Sequence, residues 1–426
     1  MLDQASLTGI ARAIVYMSLM SKPLDESGLD LAFIDVVADW LMDEALADTT
    51  MSELVKGCCQ RLHAAGVPLS RAMVSYRTLH PLFGAIWLMW HRGEGMGTYE
   101  MPHGRVGDEV FRKSPFFHML DSGVPYLRRK LEGNDTLLDF PVLQDLTEQG
   151  ATDYLAGNVP FGPSTAMESS GDGIFVSWTT DRPGGFSETD IRSLRRIQKR
   201  LAVACKVRIR TEVTQNIVTT YLGPDPGSRV LDGRIKRGDG ESIHAVIWYS
   251  DLRNSTRLAE LLSPADYLAA LNSYFECTAG AVLDHGGQVL LLIGDAVLAI
   301  FPTAEAGEKA AAAKALAAAK EAGERMEEIN VQRHDAGESR LTCGLALHIG
   351  DLTYGNIGVP QRLQFTVVGP AANQVARIEA LTKTLDRPLL ASAEFAGVLD
   401  VAWEDLGSHV LKGIPQPVDV FAPPSA

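Results

Sequence analysis

The chain has 426 residues, 46% of them apolar and 22% charged, the balance of an ordinary globular protein with room for two or three domains. Its formal net charge of −14 argues against a nucleic-acid-binding surface, so an anionic substrate would need local cations or metal ions. The longest apolar run, Pro81 to Trp90, falls short of the roughly 20 residues of a membrane span. Met1 to Met20 lacks the basic start and sustained apolar run of a signal peptide. Five cysteines (Cys58, Cys59, Cys205, Cys277 and Cys343) show no ligand-like spacing, which suits reduced thiols and a cytoplasmic location.

In chain order, apolar residues at helical spacing run from Leu29 to Leu46, and a second helix is expected from Ser52 to Ala65, ended by Gly66-Val67-Pro68. Strands are expected over Arg71 to Leu79 and Ala85 to His91, then a turn around Gly93 to Gly97, then a strand from Gly173 to Thr179. Ser187 and Asp190 form a capping box for the next helix. His80, His103 and His118 are conceivable ligands, although lone histidines are more often surface or core residues. From Ile191 one long helix is expected, with apolar Ile191, Leu194, Ile197, Leu201, Ala204 and Val207 among many basic residues. That pattern suits a solvated face, or a dimer coil that carries a signal. Pro224, Pro226 and Gly227 should break the helix, and Gly238-Asp239-Gly240 marks a flexible junction. Two helices, several strands and a closing helix, with the run FVSWTTDRPGGFSETD, resemble a GAF-type sensor domain, which implies a site for a small-molecule or protein signal, or a dimerisation surface.

The second half carries the chemistry. An apolar run from Ala245 to Tyr249 leads to Asp251, and Gly294-Asp295 joins two further apolar runs as a tight hairpin. The two aspartates should end adjacent buried strands, where a divalent cation would relieve their repulsion. The turn Leu252-Arg253-Asn254-Ser255-Thr256 leads into a helix and offers backbone N–H groups to a polyphosphate. A helix should start at Ser263-Pro264 and another at about Glu305; a strand from Leu341 to Ile349 should then turn toward Gly355. Asn373 and Arg377 lie four apart and share a helix face, suited to a sugar or phosphate edge and to a fixed positive charge.

From about Ser242 to Phe421, the motifs SDLRNST, GGQVLLLIGDAVLAIF, LALHIGDLTYGNIG, Asn373-xxx-Arg377 and LKGIPQPVDVF together resemble the class III nucleotidyl cyclase catalytic domain. The resemblance implies a ferredoxin-like α/β domain that works as a homodimer on a nucleoside triphosphate, with two Mg²⁺ or Mn²⁺ ions per active site. It maps metal binding onto Asp251 and Asp295, transition-state contacts onto Asn373 and Arg377, and a triphosphate contact onto Lys412. Leu291 and Pro370 stand where the resemblance places base-reading polar residues, and neither side chain can hydrogen-bond. The expected organisation is a GAF-like α/β sensor domain over 1–186, a helical linker over 187–241 and the cyclase domain over 242–426. An adenylate cyclase making cyclic AMP leads. A cyclase for GTP or a pyrimidine nucleotide, and a non-catalytic nucleotide sensor, are the alternatives.

Overall fold

The computed structural model describes residues 31–162, 172–238, 240–304 and 307–424. The expectations about Met1 to Met20, Asp239 and Glu305 lie outside these residues. The chain is mixed α/β and divides into two compact units, up to Ile217 and from Val218 onward. No helix among the described residues is long and apolar enough to cross a membrane.

The first unit is a six-stranded antiparallel sheet of β1 (Arg71–Arg77), β2 (Phe83–His91), β3 (Gly95–Pro102), β4 (Tyr126–Lys130), β5 (Asp153–Pro160) and β6 (Gly173–Thr180), in the order β3-β2-β1-β6-β5-β4. Side chains alternate across a strand. Ala72, Val74 and Tyr76 of β1 therefore enter one core with helices Leu31–Leu46, Met51–Ala64 and Glu188–Leu222, while Met73 enters a second core with Phe116, Met119, Leu143 and Leu146. Thr50 and Glu53 close a capping box at the second helix, and Ser187 and Asp190 close the expected one. The apolar stripe of the 35-residue helix packs into its own unit: Ile191, Leu194, Ile197, Leu201 and Ala204 are all buried, whereas Val207 is exposed.

Several expectations are corrected. Residues read as a turn up to Gly97 already belong to β3 from Gly95, and β4, β5 and the helices Arg105–Arg112, Pro115–Asp121 and Pro141–Glu148 were not foreseen. The proline cluster does not end helical structure. Gly223, at φ 88°, breaks the long helix, and Pro224 sits in the first turn of a new helix, Pro224–Leu231, where its missing N–H costs nothing.

In the second unit, β7 (Gly240–Leu252), β8 (Gln288–Ile293), β9 (Ala296–Pro302), β10 (Cys343–Val359), β12 (Leu389–Ser392), β13 (Glu404–His409) and β14 (Val418–Ala422) form a path in the order β13-β14-β12-β10-β7-β9-β8, and β11 (Arg362–Val368) pairs with β10. Helices Pro264–Asp284 and Gly307–Asp335 supply one core, and Pro370–Thr384 supplies the other. The expected turn after Ile349 is absent: β10 runs unbroken for 17 residues because β7 pairs with it down to Gly240 and β11 extends the pairing to Val359. At the end of β7, Trp248 Nε1 donates to Ser250 Oγ at 3.1 Å, and Ser250 Oγ lies 3.0 Å from Tyr274 Oη.

All five cysteines are free, and only Cys343 is not fully buried. Burial pushes the thiols of Cys58 and Cys343 up to about 12 and that of Cys277 up to about 11. Trp248 is completely buried on the strand that ends at Asp251. Trp248→Ala should cost about 3–5 kcal/mol of stability, read from denaturant unfolding followed by far-UV circular dichroism.

Candidate active site

β7 places the first carboxylate. Val246, Trp248 and Leu252 enter the core under Pro264–Asp284 and Gly307–Asp335, whereas Ala245 and Ile247 enter the core under Pro370–Thr384. The two-residue period puts Tyr249 and Asp251 on this second side. Asp251 is paired with Ala296 of β9 and Gly344 of β10. Asp295 is the second residue of the two-residue turn between β8 and β9, where Gly294 takes φ 64°. The Leu252 N–H donates to the Asp295 carbonyl at 3.3 Å, which ties the turn to the end of β7. The two carboxyl groups come within hydrogen-bonding reach of each other.

Burial, then the charge of Asp295, lifts the Asp251 carboxyl to about 6, and Lys383 works in the opposite direction. Glu379 is buried and raised by burial and then by Asp251, while Tyr249 is raised by burial and then by Asp251, Glu379 and Asp295. A Cβ on Gly344 would collide with the Glu379 carboxylate and the Thr382 hydroxyl, so Glu379 lies over the strand position paired with Asp251. Tyr249, Glu379 and Lys383 were missed from sequence. For Tyr249 the signal was its position two residues before Asp251 on a strand; Glu379 and Lys383 share a helix face by their spacing of four, but nothing in that spacing ties the face to Asp251.

This excess of negative charge fits a divalent cation. Among the described residues no group of three or more His, Cys, Asp or Glu is arranged to hold a metal. A cation on Asp251 and Asp295 would therefore draw the rest of its shell from substrate oxygens and water, as Mg²⁺ commonly does. The histidines flagged from sequence have other contacts: His80 stacks on Phe83 at 3.8 Å, His103 Nε2 donates to the His80 carbonyl at 2.9 Å, and His118 lies 5.6 Å from Phe140.

The remaining residues fall into three places. The Leu252 side chain is buried in the opposite core and its N–H is taken by Asp295; the Arg253 N–H donates to Thr342 at 2.8 Å, and Arg253 Nη2 donates to the Arg387 carbonyl at 3.4 Å. Asn254 adopts φ 57°, and Ser255 and Thr256 open the helix Ser255–Leu261. On Pro370–Thr384, Ala371, Val375, Ile378, Glu379 and Thr382 are buried, and Asn373 and Arg377 are exposed. At about 100° per residue, Asn373 and Arg377 project from the side opposite that buried stripe, away from the sheet. Leu291 is partly buried on β8, paired with Leu298, while Pro370 is exposed at the helix start. β11 lies against β8, and its Thr366 Oγ1 is buried with no hydrogen-bond partner among the described residues. Lys412 is exposed in the turn between β13 and β14.

The raised Asp251 value has a consequence for stability. A folded-state value above the ordinary 3.8 means that charge on Asp251 costs stability at neutral pH, and that the cost fades as the pH falls through about 6. In metal-free protein, Asp251→Asn should raise the thermal midpoint by about 2–4 °C near pH 8, with a smaller gain near pH 5, by calorimetry. Equal gains at both pH values would exclude charge repulsion as the cause.

An uncharacterised protein of Mycobacterium tuberculosis is 30% identical to the chain over 251 residues, covering 56% of this chain and 42% of the relative. The adenylate cyclase of Anabaena cylindrica is 31% identical over 150 residues, covering 35% of this chain and 29% of that protein. The chain thus spans less than half the length of these curated relatives. Among solved structures, the adenylyl cyclase CyaB from P. aeruginosa is similar over 44% of this chain and 97% of its own, at 23% identity and a TM-score of 0.41. Residues 241–411 match the family model of the adenylate and guanylate cyclase catalytic domain. These residues, with Asp251, Asp295, Asn373 and Arg377 among them, carry a class III nucleotidyl cyclase catalytic domain.

Proposed function

We propose that the chain is an adenylate cyclase, converting ATP to 3′,5′-cyclic AMP and pyrophosphate in the cytoplasm, at a site completed by a second copy of the chain. One observation carries this reading: Asp251 and Asp295 converge on one side of the sheet, while Asn373 and Arg377 project away from it. Exposed apolar residues support association of two copies, with Leu292 and Ile293 beside the Asp295 turn and Ile357 and Val359 on β10. In a two-fold dimer the same patches meet twice, which gives two equivalent sites.

The reaction is an in-line attack of the ribose 3′-oxygen on the α-phosphorus. The new P–O bond closes the ring, the bond to the β-phosphate breaks, and the hydroxyl proton leaves to solvent. Divalent cations, Mg²⁺ or Mn²⁺, would lower the pKa of the 3′-hydroxyl and neutralise the pyrophosphate. Asp251 and Asp295 would hold them, and Asn254, Ser255 and Thr256 would turn backbone N–H groups toward the phosphates. Asn373 of the other copy would orient the ribose and phosphate edge. Arg377 beside it would stabilise charge that builds only in the transition state, and Lys412 would meet the triphosphate end. The N-terminal unit, joined through the long helix, would set the activity in response to a signal.

Relatives named adenylate cyclase, from Anabaena cylindrica at 31% identity and Rhizobium meliloti at 29%, favour ATP. A second reading is a cyclase of relaxed or different base choice. Leu291 and Pro370 offer no hydrogen bond to a base, and Thr366 Oγ1, buried without a hydrogen-bond partner among the described residues, is a polar group on β11 that could supply one.

Purified chain supplied with each of four nucleoside triphosphates and Mn²⁺ should give cyclic AMP as the main product by mass spectrometry. Preference over the other bases should stay below roughly a thousandfold. Asp295→Asn should remove nearly all turnover while leaving the protein folded. Asp295→Ala and Arg377→Ala chains should each be nearly inactive alone, and their equimolar mixture should recover about a quarter of wild-type activity. Half of randomly formed dimers are mixed, and each mixed dimer has one intact site. Background activity in a mixture whose exchange is verified by mass would place all four residues in one chain and end the shared-site reading.

A further inference from the structure

The N-terminal unit contains a cavity of about 880 Å³, between the sheet and the helices Arg105–Arg112, Pro115–Asp121 and Pro141–Glu148. Its floor is the sheet face opposite the core formed by the long helix. Strand alternation puts Arg71, Met73 and Ser75 of β1 on that face, and the register sets Met73 beside Met89 and Ser177, and Ser75 beside Trp87 and Phe175. Phe111 closes the opposite wall. The walls are largely apolar and the volume falls within the roughly 300–1,000 Å³ typical of small-molecule sites.

Arg71 stands out in this setting. It is largely buried, yet among the described residues its guanidinium has no acidic partner. Its Nη2 donates to Met89 Sδ at 3.1 Å, the phenols of Tyr154 and Tyr99 lie near it, and His91 stands opposite it in the β1–β2 register. Other arginines of the unit are paired: Arg128 with Asp153 at 2.7 Å, Arg129 with Asp139 at 2.7 Å, and Arg182 with Asp190 at 2.5 Å. The acidic residues that do line the cavity, Asp121 and Asp145, are exposed. An unpaired guanidinium is costly to keep in an apolar wall, and its fork matches a carboxylate or phosphate oxygen pair. Arg77 and Lys113 also line the cavity, but both are exposed and Lys113 is paired with Glu109 at 2.7 Å, so among the described lining residues Arg71 is the largely buried cation of the apolar part. One such cation matches a single negative charge, whereas a phosphate monoester brings about −1.5 to −2.

We propose that this cavity binds an amphipathic monocarboxylate, with the carboxylate on Arg71 and the apolar body against Met73, Trp87, Met89, Phe111 and Phe175. Nothing in this assignment depends on the cyclase reading. Calorimetric titration of the full chain with dodecanoate, dodecan-1-ol and dodecyl phosphate, all below micelle-forming concentrations, tests it. Dodecanoate should bind one per chain and at least about tenfold more tightly than dodecan-1-ol, the worth of one charge-assisted hydrogen-bonded pair. Arg71→Gln should abolish that preference and leave dodecan-1-ol binding unchanged, and Arg71→Lys should retain part of it. Absence of saturable dodecanoate binding, equal affinity for acid and alcohol, or a preference that survives Arg71→Gln would overturn the proposal. Tighter binding of dodecyl phosphate than of dodecanoate would overturn the charge assignment. Should Arg71→Gln fail to fold, the wild-type comparison of acid with alcohol still decides.

Discussion

Two carboxylates that repel each other are held together by backbone pairing, and the C-terminal unit is arranged around that constraint. β9 pairs with β7 up to the Asp251–Ala296 position, and the Leu252 N–H reaches the Asp295 carbonyl one step further on. The ladder cannot release the acids without losing strand pairing, so burial first and then their repulsion are expressed as the raised Asp251 carboxyl. On the other face of β7, the Trp248–Ser250–Tyr274 hydrogen bonds fix the same strand end. A buried polar chain of this kind is satisfied only in one geometry, which favours a single position for the strand that bears Asp251.

Asp251 could be placed from sequence because strand alternation is a local rule, and Asp295 because a glycine before an aspartate between apolar runs is a hairpin signal. Asn373 and Arg377 share a helix face by spacing alone. Glu379, by contrast, approaches Asp251 only because Gly344 leaves room on a strand far away in sequence, which no window of neighbouring residues reveals. The unbroken β10 was missed for a similar reason. Its Gly350-Asp351 reads as a turn locally, and pairing with β7 and β11 overrides that preference. β5 was hidden by its own composition, since Asp153, Gly157, Asn158 and Pro160 all disfavour strands. Its Gly157 lies where a side chain would collide with buried Gln198. The break was expected at Pro224, Pro226 and Gly227, but it falls at Gly223, and the prolines begin the next helix instead.

The two sheets use their faces differently. In the second unit both faces are covered by helices, and the two aspartates sit at a strand end and a hairpin turn. In the first unit one face is packed by three helices, while the other is only partly closed by shorter ones, so an internal space remains above Met73 and Arg71. The residues of β1 serve both purposes through simple alternation. Changes at Ala72, Val74 or Tyr76 would act on stability, and changes at Arg71 or Ser75 on what the space can hold.

The buried cysteines give each unit its own chemical reporter. A thiolate is the species that reacts with alkylating reagents, and burial keeps Cys58, Cys277 and Cys343 in the unreactive thiol form at neutral pH. Labelling must then wait for the surrounding structure to open. Cys58, Cys59 and Cys205 lie in the first unit and Cys277 and Cys343 in the second, so peptide-resolved alkylation rates would time the opening of each unit separately in one sample.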